Sequence, residues 1–324
     1  MSAPIFRDPV YDGATDPAVI RNDRTREWWM LYTQRRTTDP GDGVRWIHGT
    51  SIGIATSSDE GATWHYLGIA EGLGGADTLW APEVIAAGGR YRMYLTVVDG
   101  VPDSWTSADA HIVEFVSDDL LNWARVGELD PVSDRVIDAA VALCGDGNWR
   151  LWYKNERDGS STWSAVSADL TDWQVEGPAV PALPPHEGPN VFPLGGWYWM
   201  VTDEWRGLGV HRSRDARDWQ RQEVNGGLIL DTPGGHAEDR GFGHHADAVV
   251  VPASAGRVES AILFYFTHPR RDDSDAIVAR SSPIHAARLT VHQGQLIAER
   301  DIATTQGFLG GAAAGATTSA EGTT

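Results

Sequence analysis

The sequence has little of several features that would indicate other classes of protein. Its single cysteine, Cys144, lies in an apolar run, so no intrachain disulfide can form and the thiol is expected to be buried as a small hydrophobic group. No apolar run reaches the length of a transmembrane helix. Residues 1–12 lack the basic stretch and apolar segment of a secretory signal peptide, which favours a cytoplasmic location.

Positive charge is also scarce. Lysine and arginine together number 26 against 45 aspartate and glutamate residues, which gives a formal net charge of −19. Such a surface repels nucleic-acid phosphates, anionic membranes and polyanionic polymers. Neither nucleic acid nor a membrane is therefore an expected partner, and neutral small molecules or neutral polymers remain.

Tryptophan and glycine, by contrast, are abundant. The 324 residues include 15 tryptophans and 36 glycines, and hydrophobic residues make up 41%, enough for a sizeable core. Most tryptophans are expected to fill that core, because large aromatic side chains dominate buried area. A Trp-rich, Gly-rich and acidic chain with many short strands nevertheless favours a β protein that handles sugars.

Five segments of the chain share one design. Each begins with a polar or ionisable residue, continues as an apolar strand, turns and returns. The clearest is the stretch 186–204, where Glu187 precedes an apolar run that turns at Gly195-Gly196 into an aromatic-rich strand. The opening residues of the five segments are Asp16, Glu83, Asp138, Glu187 and His245. Four segments end in a polar turn that leads to a tryptophan, namely Trp64, Trp123, Trp173 and Trp219.

Repeats of about 46 to 67 residues, each with about four short strands, are typical of propeller blades. We therefore predict an all-β, five-bladed β-propeller over residues 1–309, with residues 276–280 as a strand of the last blade. A β-sandwich would also have many strands, but it would not explain the recurring turn and tryptophan. Residues 310–324 contain only Gly, Ala, Ser and Thr with one Glu, and are expected to form a disordered tail.

The first strand of every propeller blade lines the central channel, so residues that begin these strands converge despite their distance in sequence. Carboxyl groups gathered in one place cannot all ionise freely, and the pKa of some is raised. Glycoside hydrolysis needs this division, because one protonated acid serves the leaving oxygen while one carboxylate acts as base or nucleophile.

Several of these contexts resemble glycoside hydrolase family 43, a family of five-bladed propeller enzymes, over roughly residues 8–300. They are Asp16-Pro17, Asp138 in an Ile-Asp-Ala context, Glu187-Gly188-Pro189, and Trp80-Ala81-Pro82-Glu83, which is similar to the Trp-Ala-Pro-acidic motif of the second blade. The run Glu176-Gly177-Pro178 repeats the third motif. Glu187 is preferred because an apolar strand and a hairpin follow it directly.

The resemblance implies roles for three residues. Asp16 would be the general base that activates water, Glu187 the general acid, and Asp138 the residue that holds the acid and tunes its pKa. It also implies a glycosidase that inverts the anomeric centre, with arabinofuranosides and β-xylosides as the commonest substrates. The hypothesis is thus an inverting glycosidase that acts on a neutral carbohydrate.

Four further residues are candidates for substrate binding. Trp80 could be a platform for a sugar ring or a core residue, and Glu83 could contact sugar hydroxyls or hydrogen-bond to a neighbouring blade. His244 or His245 would match the fifth-blade histidine of the family, which often lies near a calcium ion. No cofactor is expected to be required, a structural Ca²⁺ in the central channel stays open, and no metal ligands are assigned. The set His236, His244, His245 and Asp247 fits no standard zinc spacing.

Other readings of the sequence remain. The stretch from Ser57 to Trp64 matches the Asp-box of sialidases and other propellers, but that motif is a structural turn, and a sialidase would also need an arginine cluster that the sequence does not place. Family 32 fructosidases share the five blades but have Arg-Asp-Pro and Glu-Cys around their second and third acids. A non-catalytic sugar-binding propeller is the third alternative, and it does not explain intact acids at three positions.

Overall fold

The computed structural model describes residues 4–75, 77–105, 108–129, 133–254, 258–302 and 307–312. These residues form 21 β-strands in five antiparallel sheets, together with one short α-helix and three 3₁₀ turns. No helix within the described ranges is long and apolar enough to cross a membrane.

Each sheet is built from strands that follow one another along the chain. Blade one contains β1 (Ala14–Arg21), β2 (Trp28–Gln34), β3 (Ser51–Ser57) and β4 (His65–Ile69). Blade two contains β5 (Thr78–Ala87), β6 (Arg90–Val98), β7 (Ala110–Ser117) and β8 (Ala124–Glu128). Blade three contains β9 (Val136–Leu143), β10 (Trp149–Asn155), β11 (Ser161–Ser167) and β12 (Gln174–Val180). Blade four contains β13 (Glu187–Leu194), β14 (Trp197–Asp203), β15 (Leu208–Ser213), β16 (Gln220–Arg221) and β17 (Leu228–Ile229). Blade five contains β18 (His244–Val251), β19 (Ser260–Phe266), β20 (Ile284–His292) and β21 (Gln295–Glu299), with helix α1 (Ala276–Arg280) between β19 and β20.

The first strands of the blades form a closed ring around the axis. Strand β1 contacts β5, β5 contacts β9, β9 contacts β13, β13 contacts β18, and β18 returns to β1. The predicted five-bladed β-propeller is therefore confirmed.

The hydrophobic core lies between the blades rather than within them. Five clusters of buried side chains each join two neighbouring blades, and together they complete the ring. A four-stranded sheet has two apolar faces that it cannot bury alone, and packing blade against blade covers both. The fully buried tryptophans Trp28, Trp152 and Trp199 belong to these clusters, and Cys144 is buried between blades three and four.

Two segments differ from the prediction. Residues 276–280, expected as a strand of the fifth blade, form α1 because Asp275 caps the backbone N–H of Ile277 and starts a helical turn, and β20 supplies the third strand. At the other end of the blade, Ala312 is buried in the cluster between blades five and one, so the packed chain extends beyond the expected boundary at residue 309. Residues 313–324 of the expected tail lie outside the described residues.

A β-bulge interrupts every first strand at the same point. In each, two residues lie opposite one residue of the second strand. The bulged pairs are Asp16-Pro17, Ala81-Pro82, Asp138-Ala139, Gly188-Pro189 and His245-Ala246. In the first four blades the leading residue has a positive φ, between 47° and 59°. A bulge redirects the side chains at its position. Here the redirected side chains lie near one end of the central channel.

Candidate active site

A pocket of about 680 Å³ lies at the bulges and is lined by residues from all five blades. This volume is within the range of roughly 300–1,000 Å³ that is usual for small-molecule sites. Six of the seven predicted site residues line it, namely Asp16, Trp80, Asp138, Glu187, His244 and His245. Both members of the histidine doublet contribute.

Glu83 is the exception. It lies two residues beyond the first bulged residue of its strand, Ala81, which places it deeper along the axis and outside the pocket lining. There its Oε1 accepts a hydrogen bond of 2.8 Å from the backbone N–H of Val141 in blade three. Burial, reinforced by the neighbouring charge of Asp247, raises the pKa of Glu83 well above its usual value. The residue joins two blades, which was the alternative to a contact with sugar hydroxyls.

The side chains deeper in the central channel are also relevant to the predicted calcium ion. Asp247 accepts hydrogen bonds from the backbone of Val19 at 2.7 Å and from Asn190 at 2.9 Å, so its oxygens already have partners. Across the described residues, no group of three or more His, Cys, Asp or Glu side chains is arranged to hold a metal. Calcium prefers six to eight oxygen ligands. The residues that the structure describes do not provide such a set, and the calcium ion stays a prediction.

Asp16 is a buried carboxyl group close to two cationic side chains. Its Oδ2 accepts a hydrogen bond of 3.1 Å from the hydroxyl of Thr15, and the guanidinium of Arg35 lies 3.6 Å away. His245 Nδ1 lies 3.6 Å from the other carboxyl oxygen. Burial alone would lower the pKa of His245, but the nearby carboxylates of Asp138 and Asp16 outweigh it and the pKa is raised.

Asp138 has a different environment, because within the described ranges no cationic side chain donates a hydrogen bond to it. Its backbone N–H donates to the hydroxyl of Thr96 at 2.9 Å, and its Oδ2 accepts from the backbone N–H of Gly188 at 3.1 Å. Burial raises the pKa of Asp138 to about 7, against the opposing charges of His245 and Lys154. Asp138 therefore holds a proton over part of the neutral pH range.

Glu187 is held as a carboxylate. Its Oε2 accepts a hydrogen bond of 2.9 Å from Nζ of Lys154, and its Oε1 accepts one of 2.9 Å from the indole N–H of Trp205. Burial would raise the pKa of Glu187, but the charge and hydrogen bond of Lys154 outweigh it, and the pKa is lowered. The carboxylates also raise the pKa of buried Lys154, which stays protonated.

Lys154 and Asp203 are pocket residues that the sequence analysis missed. They occupy equivalent positions on the second strands of blades three and four, opposite the residue that precedes the bulge. Asp203 Oδ2 accepts a hydrogen bond of 3.2 Å from the backbone N–H of His245 and lies 3.0 Å from His244 Nδ1. Two signals were present in the sequence: both are charged residues near the end of an apolar strand, and Lys154 is the only lysine of the chain.

Aromatic side chains cover much of the pocket wall. Trp80 donates its indole N–H to the carbonyl oxygen of Ile47 at 2.7 Å, which fixes the orientation of the ring. Trp105 and Trp205 line the pocket with 60% and 40% of their surface exposed. Exposed indole faces beside carboxyl groups suit the apolar face of a sugar ring, since tryptophan combines a large apolar surface with a polar edge.

The second Glu-Gly-Pro run lies elsewhere. Glu176 is in β12, the outermost strand of blade three, where it pairs with Arg150 at 3.3 Å. It does not line the pocket. His236, which the sequence analysis grouped with His244, His245 and Asp247, is likewise outside the lining.

No protein-family model matches the sequence, and no curated protein matches it. Solved structures do match the fold. A thermostable family 43 glycoside hydrolase shares 18% identity, with a TM-score of 0.68 over 92% of this chain and 98% of that one. A family 43 enzyme from Xanthomonas citri complexed with xylose shares 15% identity, with a TM-score of 0.62 over 92% of each chain. A family 32 β-fructofuranosidase from Bombyx mori shares 12% identity, with a TM-score of 0.64 over 92% of this chain and 65% of that one. The chain therefore has a propeller similar to those of family 43 structures.

Proposed function

We propose that the protein is a glycoside hydrolase that cleaves a glycosidic bond of a sugar bound in this pocket. The observation that carries the proposal is the opposite tuning of two carboxyl groups in one aromatic-lined pocket. The pKa of Asp138 is raised to about 7, whereas the pKa of Glu187 is lowered. Carboxyl groups whose environments push their pKa values apart are the usual basis of acid–base catalysis on sugars. The similarity to glycosidase propellers supports the same conclusion.

Asp16 is proposed as the general base. Its carboxyl group lines the pocket 3.6 Å from both Arg35 and His245, where it is positioned to accept a proton from a water molecule. Attack by that water on the face of the sugar opposite the leaving group would invert the anomeric centre.

The acid is assigned to Glu187, with Asp138 as the residue that controls its proton. Asp138 and Glu187 interact electrostatically, so they titrate as a pair rather than separately. Of the two, Asp138 holds the proton more readily, because its pKa is raised to about 7 while Lys154 and Trp205 donate hydrogen bonds to both oxygens of Glu187. Glu187 can act as the acid only after the proton moves to it, when the sugar is bound. This requirement favours a second candidate, in which Asp138 donates the proton directly.

The sugar is proposed to be a β-xyloside or an arabinofuranoside. A propeller of similar fold was solved with xylose, and another, from Bacillus halodurans, is a xylan β-1,4-xylosidase that shares 14% identity over 90% of this chain. A fructofuranoside is the alternative, because the similar Bombyx mori structure is a β-fructofuranosidase.

The experiment that tests this function is hydrolysis of aryl β-D-xylosides, α-L-arabinofuranosides and β-D-fructofuranosides with good and poor leaving groups. Glu187→Gln should lose about 10²- to 10⁴-fold in rate on the poor leaving group and much less on the good one, since a good leaving group needs no acid. If Asp138→Asn shows this pattern instead, Asp138 is the acid. Glu176→Gln is the matched control, because it changes the same Glu-Gly-Pro context far from the pocket, and its rates should equal those of the wild type.

The product of the best substrate, followed by NMR, tests the role of Asp16. Inversion is expected, and Asp16→Ala should lose activity on both leaving groups. Retention of configuration would exclude Asp16 as a base. Failure to hydrolyse any member of the panel, together with measurable binding of a sugar, would favour the non-catalytic alternative.

A further inference from the structure

Cationic side chains line the pocket in the same number as carboxyl groups, five of each, although the whole chain carries a net charge of −19. Five cationic side chains line it, and they are of two kinds. Two are neutralised by carboxylates: Lys154 by Glu187 and Glu156, and Arg135 by Glu156 at 2.6 Å. The other three, which we call the arginine wall, are Arg35, Arg271 and Arg280.

Arg35 is the member nearest to the proposed base. Its side chain is only 21% exposed, and its buried Nε has no hydrogen-bond partner among the described residues. The carboxylate of Asp16, at 3.6 Å, is beyond hydrogen-bond distance. The group lies 5.9 Å from the ring of Trp46 and 5.3 Å from that of Phe266, which hold it in place. Buried donors without partners are costly, so a ligand that satisfied them would gain affinity.

Arg280 and Arg271 belong to the same side of the pocket. The Arg280 guanidinium lies 5.4 Å from the ring of Trp46, the ring that Arg35 also contacts, and its Nη1 donates a hydrogen bond of 3.2 Å to the carbonyl oxygen of Asp39. Arg271 is exposed and lines the same pocket. Burial, followed by the charge of Arg35 and supported by Arg271, lowers the pKa of the adjoining His268 to about 3, which is consistent with positive potential here.

We propose that the arginine wall binds an anionic group, a carboxylate or a sulfate ester, so that the substrate is an acidic glycoside. This proposal rests on the function proposed above, because it names the substrate class of the same pocket. Guanidinium groups pair with carboxylates and sulfates through charge-assisted, often bidentate hydrogen bonds. A neutral hydroxyl could accept some of these bonds, but it would bring no negative charge to the three guanidinium groups.

Because of the arginine wall, the net negative charge of the chain does not exclude an acidic ligand. The acidic surface acts on a ligand through solvent, where salt screens charges beyond about 8–10 Å. The arginine wall would contact the ligand directly. An acidic group on the sugar at the cleaved bond, or on a neighbouring sugar of the same glycan, is compatible with a xyloside or arabinofuranoside linkage.

Calorimetric binding of matched sugar pairs tests the proposal. D-Glucuronate is compared with D-glucose, and D-galactose 6-sulfate with D-galactose, because each pair differs only at C6. At least one acid should bind ten times more tightly than its neutral counterpart in 50 mM salt, and this advantage should shrink in 500 mM salt. Preference for glucuronate would indicate a uronic acid, and preference for the sulfated sugar would indicate a sulfate ester.

Substitutions test whether the arginine wall causes the preference for an acidic sugar. Arg271→Ala and Arg280→Met should each reduce the affinity for the preferred acid at least fivefold and leave that for the neutral sugar unchanged. Arg270→Ala is the matched control, since Arg270 is the neighbour of Arg271 in sequence but lines a separate cavity. Arg271 is exposed, so its substitution should not impair folding.

The outcomes separate this proposal from the function it rests on. Equal affinity for acidic and neutral sugars, no binding of either acid, or an acid preference that survives both substitutions would overturn the arginine wall. Hydrolysis of neutral aryl glycosides, together with equal affinities for acidic and neutral sugars, would support the proposed hydrolase and refute the arginine wall. An acid preference without hydrolysis of any glycoside would keep the wall as a binding site and refute the hydrolase.

Discussion

At the scale of single residues, the pocket carboxyl groups differ in proton affinity because their contacts come from different blades. Glu187 in blade four meets the ammonium group of Lys154 in blade three at 2.9 Å. Among the described residues, the carboxyl group of Asp138 in blade three accepts only a backbone N–H, from Gly188 in blade four. An ammonium partner favours the ionised form far more than an amide does. Two carboxyl groups of similar intrinsic acidity therefore take opposite roles.

Asp138→Asn should stabilise the protein at high pH. The pKa of Asp138 is about 7 in the folded protein and lies near 3.9 when unfolded, so the folded state binds the proton more tightly. Stability is therefore lost as the pH rises from about 4 through 7, when the buried group must ionise. The variant should exceed the wild type in free energy of unfolding by about 1–3 kcal/mol at pH 8 and show no gain at pH 4. Denaturant unfolding at both pH values measures this, and an equal effect at both would contradict the assignment.

At the scale of elements, the bulge of the first strand decides which side chain meets the pocket. Asp16, Asp138 and His245 each lead a bulge, whereas Glu187 lies one residue before its bulge and Glu83 lies two residues beyond Ala81. The five polar residues recur at blade-length intervals in the sequence, but they do not occupy equivalent positions on their strands. The period of the repeat predicts the strand, but a shift of one or two residues moves a side chain along the axis.

A second element recurs at the outer edge of four blades. A serine and an aspartate two residues later fold the turn that leads to each closing tryptophan. In blade two, Asp119 accepts hydrogen bonds from the backbone N–H groups of Leu121 and Asn122 at 2.9 and 2.8 Å, and Trp123 donates its indole N–H to Leu120. These turns lie away from the pocket lining, so the Asp-box stabilises the blades and does not take part in the proposed chemistry.

Asp119→Ala should weaken the second blade without changing the pocket. The loss of its backbone hydrogen bonds should cost about 1–2 kcal/mol, as the loss of a helix cap does. The matched control is Asp118→Ala, because Asp118 is exposed and forms a surface ion pair with Arg90, an interaction of about 0–1 kcal/mol. Denaturant unfolding at pH 7 compares the two variants. Equal stabilities, or a large fall in kcat for Asp119→Ala, would refute the structural role.

At the scale of the whole molecule, noncovalent contacts alone close the ring between blades five and one within the described chain. Phe6, from the segment before blade one, bridges to Ile284 in β20. After blade five, the backbone N–H groups of Phe308 and Leu309 donate to the carbonyl oxygen of Glu60 in blade one. The segments before blade one and after blade five, through Phe6 and through Phe308 and Leu309, thus pack onto the cluster that joins the first and last blades.

Phe308→Ala should therefore destabilise the whole propeller. Phe308 is 6% exposed within that cluster, and truncation of a buried phenylalanine costs about 3–5 kcal/mol. Leu183→Ala serves as the control, since Leu183 is 88% exposed and should change stability by less than about 0.5 kcal/mol. Thermal unfolding of both variants measures the difference, and a Phe308→Ala variant as stable as the control would mean that this segment does not close the ring.

The sequence by itself determined the number of blades, the order of their strands and the polar residues that begin them, because strand alternation and turn chemistry are local properties. Five pocket residues were predicted from the strand that carries each, and Trp80 from its motif. Only the tertiary structure decided the offset of Glu83, the pairing of Lys154 with Glu187 and the meeting of Arg35 with Arg271 and Arg280, which are far apart in the chain. Proton affinity and charge balance depend on burial and on neighbours from other blades, and no local pattern contains those distances.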